Sequence, residues 1–121
     1  MTLKIFMKQS EIWLINLDPT IGAEIKKTRP AVIGNDDALG KLPLKVIVPL
    51  TDWKERYSTP TWMIKIEPDS KNGLSKASAA DCFQIRFISD KRFVRRLGHI
   101  TPDEHELIKS GISSVLSLTS E

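Results

Sequence analysis

Apolar residues fall in short runs along most of the chain, and the period within each run predicts strands closed by one helix. Ile12 to Leu17 is apolar on both faces except at Asn16, as in a strand covered on two sides. Ala31 to Ile33 follows Pro30, and a strand tolerates proline at its start. Gly34-Asn35-Asp36-Asp37 with Gly40 marks a loop, and Leu44 to Leu50 is the next strand. Trp62, Ile64 and Ile66 alternate with Met63 and Lys65, the pattern of a half-buried strand. Cys82 to Ile88 reads as a further strand, with Phe83, Ile85 and Phe87 on one face and Gln84 and Arg86 on the other.

The clearest helix is the last element. Thr101 is its cap, Pro102 its first residue, and Glu104 completes a capping box. Leu107, Ile108, Ile112, Val115 and Leu116 then share one helical stripe. Gly111 interrupts it at a cost of roughly 1 kcal/mol relative to alanine. Strands that do not alternate with helices disfavour an α/β sheet. The fold class expected is mainly β, a small barrel with a C-terminal α-helix on its surface.

Composition narrows the function classes. A length of 121 residues suits one domain with a single core. No apolar run approaches the roughly 18 residues a membrane span needs, and the N-terminus is too short and too broken by charge for a signal peptide. Cys82 is the only cysteine, which excludes an internal disulfide and cysteine-rich zinc sites and fits a reducing cytosol. It reads as a small buried hydrophobe. No cluster of metal ligands stands out, and no cofactor is expected. The net charge of +3 is mild, so placement matters more than the total. Basic residues gather at Lys26, Lys27 and Arg29, at Lys54 and Arg56, and at Lys91, Arg92, Arg95 and Arg96.

The first basic group gains weight from topology. If Ala31 to Ile33 pairs antiparallel with Leu44 to Leu50, Arg29 before the one strand lies beside Thr51 after the other. Arginine before proline is biased to an extended backbone, and its planar fork of donors matches phosphate. Arg29 and Thr51 together would bind a scissile phosphodiester and stabilise its pentacoordinate transition state. In RNA the adjacent 2′-hydroxyl can attack, so no protein nucleophile is required. Glu24 on the preceding loop is the best candidate base. Arg29 as general acid would need strong tuning, because its pKa lies above about 12. His99 and His105 lie at and on the helix, away from this edge. Taken from the residues alone, the plainer reading of Arg29 is an exposed charge and of Thr51 a strand-end hydroxyl. Trp53 and Tyr57, interleaved with Lys54 and Arg56, would stack unpaired bases or else fold onto the barrel. Trp13 and Trp62 belong to the core.

The order of these features resembles a known family. Glu11-Ile12-Trp13-Leu14, Asn16-Leu17-Asp18-Pro19-Thr20, Gly22, Glu24 and Thr28-Arg29-Pro30-Ala31-Val32 are similar to the opening of the MazF/PemK toxins. Val48-Pro49-Leu50-Thr51 resembles the family's second motif, and Phe83-Gln84-Ile85-Arg86 its third, usually written Asp-Gln-x-Arg. The resemblance implies a dimeric SH3-like barrel that acts as a metal-independent endoribonuclease on single-stranded RNA in the prokaryotic cytoplasm. Its products carry 2′,3′-cyclic phosphate and 5′-hydroxyl ends, and an antitoxin neutralises it. Carried over by position, Arg29 and Thr51 match the catalytic pair and Glu24 the loop glutamate.

The RNA-binding set expected is Lys26, Lys27, Thr28, Trp53, Lys54, Arg56, Tyr57, Asp81, Gln84 and Arg86. Two positions depart from the family pattern. Ala23 stands where some members have histidine. Phe83 replaces the Asp of the third motif, and Asp81, two residues earlier, would share its strand face. Residues 10–118 form the single domain expected, and 1–9 an N-terminal extension in which Met7 is a second candidate start. Two alternatives stay in view: a CcdB-type toxin that poisons gyrase, though the C-terminus lacks that family's tryptophan, and a barrel that binds RNA without cutting it.

Overall fold

The computed structural model describes residues 7–118. Seven strands and one helix follow in order: β1 (Glu11–Asn16), β2 (Thr28–Ile33), β3 (Leu44–Asp52), β4 (Met63–Ile66), β5 (Ser78–Asp81), β6 (Arg86–Ser89), β7 (Phe93–His99) and α1 (Pro102–Leu116). All pairings are antiparallel, in the order β4-β5-β3-β2-β1-β7, with β6 also on β3. The small barrel with a C-terminal helix expected from the apolar pattern is therefore present. β3 belongs to two sheets. It pairs with β2 as far as Ala31↔Pro49, then turns to β5 at Leu50↔Ala80, Thr51↔Ala79 and Asp52↔Ser78. Pro30 and Pro49 lie on adjacent rungs where the β2–β3 ladder ends. Neither has an N–H to donate, so the ladder has no reason to continue there.

Alternation sorts the core into two clusters. One joins Ile12, Val32, Val48, Leu50, Ile66, Ala80 and Cys82 to Ile100 and Ile108 under the helix. The other joins Trp13, Ile15, Leu17, Ala31, Ile33, Ile47 and Ile88. Trp13 is core, as expected, whereas Trp62 is half-buried just ahead of β4 and lies 5.7 Å from Phe83, ring to ring.

The helix begins with the capping box its sequence specifies. Glu104 N–H donates to Thr101 Oγ1 at 3.1 Å, and Thr101 N–H donates to Glu104 Oε1 at 2.9 Å. Its buried stripe is narrower than expected: Ile108 and Gly111 are buried, while Leu107 and Leu116 are exposed. Gly111 has a packing reason. A Cβ there would lie 2.7 Å from Cys82 Sγ, so glycine lets α1 settle onto the turn after β5. The Cys82 thiol is pushed up to about 12, first by burial and then by the charge of Asp81, so it stays protonated as a packing group.

Two strand readings need correction. The run from Cys82 to Ile88 is not one strand: β5 ends at Asp81, Cys82–Gln84 forms a 3-10 turn, and β6 starts at Arg86. Phe83 and Phe87 are exposed instead of sharing a buried face with Ile85. β2 starts at Thr28, not Ala31, so Arg29 and Pro30 lie within it. Of the extension expected at 1–9, residues 7–9 are tied to the domain. Met7 packs on the second cluster, and Gln9 bonds Asp37 through its N–H and the Gly34 carbonyl through its side chain. Residues 1–6 lie outside the described chain.

Candidate active site

The site lies where β2 and β3 part. In the β2–β3 register Arg29 stands opposite Thr51, but at Thr51 the third strand has already turned to β5. The separation opens a cleft of ≈ 390 Å³ with Arg29 on one lip and Thr51 on the other. The volume is within the range of small-molecule sites. Gly73 to Lys76 and Ser78 supply another wall, and Leu14, Arg95 and Leu97 a third. The wall at Gly73 is rigid. Buried Asn72 donates to the Glu67 carbonyl at 2.7 Å and accepts from the N–H groups of Asp69 and Leu74. A Cβ on Gly98 would lie 2.1 Å from the Lys71 carbonyl, so only glycine lets this loop rest on β7.

Arg29 is half-buried, and its Nε donates to the Lys26 carbonyl at 3.0 Å. That bond uses one edge of the guanidinium and leaves the two terminal amino groups for an anion in the cleft. Charge in the cleft favours an anion: Arg29, Arg95 and Lys76 face a single carboxylate, Asp52, which Lys76 meets at 3.1 Å. The Arg95 side chain makes no hydrogen bond or ion pair among the described residues, whereas Arg96 pairs with Glu11 at 3.0 Å.

Arg29 and Thr51 are thus brought together, and Glu24 is not. Its Oε1 accepts the Ile21 N–H at 2.6 Å, and it lines a neighbouring cleft of ≈ 480 Å³ with Ala23, Phe83, Gln84, Ile85 and Arg86. The loop between β1 and β2 is held from outside. Gln84 Oε1 accepts the Ile25 N–H at 2.6 Å, and its Nε2 donates to the Ala23 carbonyl at 3.4 Å. Arg92 Nη1 donates to the carbonyls of Asn16 and Asp18 at the loop's base. Lys26, Lys27 and Thr28 are exposed along the loop's return.

Asp81 is buried, and its carboxylate accepts the Phe83 N–H at 3.1 Å, capping the 3-10 turn. It does not share a strand face with Phe83, because β5 ends at Asp81 and Phe83 lies in the turn. Burial raises its pKa above the usual carboxylate value, against the opposing pull of the Phe83 and Gln84 backbone and the Gln84 side chain. It is a structural cap, out of reach of a large ligand. The loop after β3 folds its aromatics into a small platform. Trp53 and Tyr57 meet edge to face at 6.0 Å, Arg56 lies 5.2 Å over Tyr57, and Lys65 lies 5.0 Å over Trp53. Lys54 stands at the N-terminal boundary of the short 3-10 turn that follows and makes no side-chain bond to it. Both histidines lie elsewhere: His105 Nδ1 is 2.9 Å from Ser10 Oγ, and His99 Nδ1 is 3.4 Å from Arg96.

Sequence reasoning gave no site role to Asp18, Arg92 or Arg95. Asp18 stood only within the first motif, and the two arginines only within a basic group. Arg95 sits in β7, which the sequence pattern did not reveal.

The fold agrees with that of known proteins. The chain is 29% identical over 113 residues to an endoribonuclease PemK of Escherichia coli, spanning 92% of this chain and 83% of that protein. It is 26% identical over 120 residues to endoribonuclease MazF9 of Mycobacterium tuberculosis, spanning 94% and 99%. Among solved structures, MazF from Deinococcus radiodurans superposes with a TM-score of 0.78 at 19% identity over 94% of this chain and 99% of that one. A mycobacterial endoribonuclease in complex with its cognate antitoxin gives 0.74 at 16% identity over 96% and 100%. The model of the PemK-like, MazF-like toxins of type II toxin–antitoxin systems matches residues 8–116, nearly the whole chain, and this protein therefore belongs to that family.

Proposed function

We infer that the protein is the toxin of a type II toxin–antitoxin system, an endoribonuclease that holds the scissile phosphodiester of single-stranded RNA between Arg29 and Thr51. One observation carries the reading: a guanidinium and a hydroxyl from strands that have just parted face the same cationic cleft. The 2′-hydroxyl oxygen attacks phosphorus as its proton passes to solvent, the bond to the 5′-oxygen breaks as that oxygen takes up a proton from solvent, and the products carry a 2′,3′-cyclic phosphate and a 5′-hydroxyl. Charge builds on the non-bridging oxygens in the transition state. The terminal amino groups of Arg29 and the Thr51 hydroxyl are the donors aimed at it.

Glu24 receives a different role from the one its position in the loop suggested. Its carboxylate caps the Ile21 N–H in the adjoining cleft, and it shapes the loop there without acting as the base. Arg95 holds a flanking phosphate, and the Trp53–Tyr57 platform with Lys54, Arg56 and Lys65 offers stacking faces and cations for neighbouring nucleotides. Lys26, Lys27 and Thr28 extend the charged rim, and Arg86 lines the adjoining cleft beside Gln84.

The RNA substrate and a cognate antitoxin are the partners, and the working form is a homodimer in the cytoplasm. No helix among the described residues is long and apolar enough to cross a membrane. The test is incubation with a long mixed-sequence RNA in EDTA, with the cut sites and end groups mapped. Cyclic-phosphate ends are expected from the wild type and none from Arg29→Ala or Thr51→Ala, both with unchanged melting. Cutting that survives both substitutions, or binding with no cutting by the wild type, overturns the reading.

A further inference from the structure

We propose that the peptide unit joining Lys26 to Lys27 is a strut that aims Arg29, and that Asp18 and Gln84 are the positioning residues that hold the strut in place. The proposal rests on the reading of Arg29 as the phosphate-holding arginine. The peptide is gripped at both ends. Its carbonyl accepts the Arg29 Nε–H at 3.0 Å, and its N–H donates to Asp18 Oδ1 at 3.1 Å. Bonds in such a chain polarise one another, so the carboxylate strengthens the carbonyl's hold on the guanidinium. Tethering Nε restricts the orientations open to the guanidinium and leaves its terminal amino groups for the cleft.

Little else within the loop holds this peptide: the Leu17 N–H donates to the Lys27 carbonyl at 3.0 Å, and Ile25 packs on the second core cluster. Ile21, Gly22, Ala23, Glu24, Lys26 and Lys27 are all exposed. Lys27 has a φ of 72°, a left-handed conformation that persists in a side-chain-bearing residue only when its surroundings hold it. The holding groups come from far along the chain. Arg92 grips the Asn16 and Asp18 carbonyls at the base. Gln84 uses both atoms of its amide on the backbone of Ala23 and Ile25, directly before the strut. Both ends of its amide are therefore occupied by protein, and neither is offered to RNA.

Four variants test it: Asp18→Ala, Asp18→Asn, Gln84→Met and Gln84→Glu. Asn and Glu keep an acceptor for the Lys27 and Ile25 N–H groups, whereas Ala and Met remove it; Met keeps the bulk of glutamine. The direct readouts are amide exchange at Lys27 and Ile25 and the NMR signal of the Arg29 Nε–H. Asp18→Ala and Gln84→Met are expected to speed exchange at their own target amide and to shift or broaden the Arg29 signal. They should also slow single-turnover RNA cleavage by about ten- to a hundredfold, the scale of a small misplacement of a reacting group. RNA affinity, measured in a Thr51→Ala background, should stay within about twofold of the same protein without the second change, since the phosphate contacts remain. Asp18→Asn should restore most of the rate, and Gln84→Glu should keep the Ile25 amide protected.

An unmoved Arg29 signal in Asp18→Ala and Gln84→Met overturns the proposal. So does a loss of affinity matching the loss of rate, which would make these residues RNA contacts. An Asn variant as slow as the Ala variant, with Lys27 still protected, would show that charge and not the bond matters, and also overturns it. If the wild type cuts no RNA, the functional reading fails by itself, and the exchange and NMR readouts still decide whether the strut orients Arg29.

Discussion

Arg29→Lys separates the charge of the arginine from its shape. In the structure the guanidinium divides its work: Nε binds the Lys26 carbonyl at 3.0 Å, and the terminal amino groups are left for the phosphate. Lysine keeps the charge on a single nitrogen. One ammonium cannot hold the carbonyl and also present a fork to two phosphate oxygens, so at least one transition-state donor is lost. Removing one such donor costs about 2.7–4 kcal/mol of barrier, or about 10²–10³-fold in rate. Stability should barely change. Arg29 is half-buried, its rung opposite Ile15 is made by backbone, and it forms no ion pair among the described residues. A change of about 0.5 kcal/mol or less is expected, as for surface substitutions. The assay is single-turnover cleavage of labelled RNA at saturating enzyme, with affinity read separately on an analogue carrying 2′-deoxyribose throughout. The rate should fall as calculated with affinity nearly constant. A lysine variant within about fivefold of wild type, less than 1 kcal/mol of barrier, would show that charge alone suffices and that the fork geometry does no catalytic work.

Three further outcomes follow from the same geometry. Arg95→Ala should weaken RNA binding and flatten the dependence of log affinity on log salt by about 0.7, one phosphate contact on a single strand, while the rate at saturating enzyme is kept; an unchanged slope removes Arg95 from the RNA path. Glu24→Gln preserves an acceptor for the Ile21 N–H and should cleave within about threefold of wild type, whereas loss of a general base would cost about 10²–10⁴-fold. Asp81→Asn keeps the cap on Phe83 and removes a carboxylate whose pKa burial raises above its usual 3.8. The folded wild type binds that proton more tightly than the unfolded chain, so this carboxylate lowers stability as pH rises from 3.8 through the raised value. Urea midpoints of the two proteins should separate across that interval in favour of Asn, and parallel curves would contradict the assignment.

What sequence could and could not reveal follows from where periodicity survives. β1 and β3 are legible because each is an almost unbroken apolar run, and α1 because a capping box opens its apolar stripe. β7 does not. Its pairing with β1 shifts twice, between Ile12 and Trp13 and between Leu14 and Ile15, so Leu97 and Val94 are left without rungs. Each extra residue inverts the in-and-out alternation, and the run Phe93 to His99 then resembles a basic loop. The stretch from Ser78 to Ser89 failed for another reason. Asp81 caps a turn just where the alternation of Phe83 to Phe87 begins, and periodicity cannot register a carboxylate's choice of backbone partner. Arg29 and Thr51 were within reach because a local antiparallel pair joins them. Arg95 and Arg92 were not, because contacts across 74 or 76 residues place Arg92 and an irregular edge strand places Arg95.

The two departures from the family pattern now have one explanation. At Ala23 and Phe83 this chain lacks side chains that family members carry, yet the structure uses neither side chain for a polar contact. What the loop takes from position 23 is its carbonyl, which receives the Gln84 amide and which any residue supplies. What the turn takes from position 83 is its N–H, which Asp81 accepts, while the Phe83 ring stands exposed against Trp62. Gln84, the motif residue that is retained, is the one whose side chain makes bonds no backbone atom could replace, because they run from β5's following turn to the β1–β2 loop. A chain can therefore change Ala23 and Phe83 without disturbing the cleft, provided that Asp18, Gln84 and the prolines that part β2 from β3 are kept. Placing histidine at 23 or aspartate at 83 should leave the orientation of Arg29 as it is, since neither substitution touches an atom on which that orientation depends.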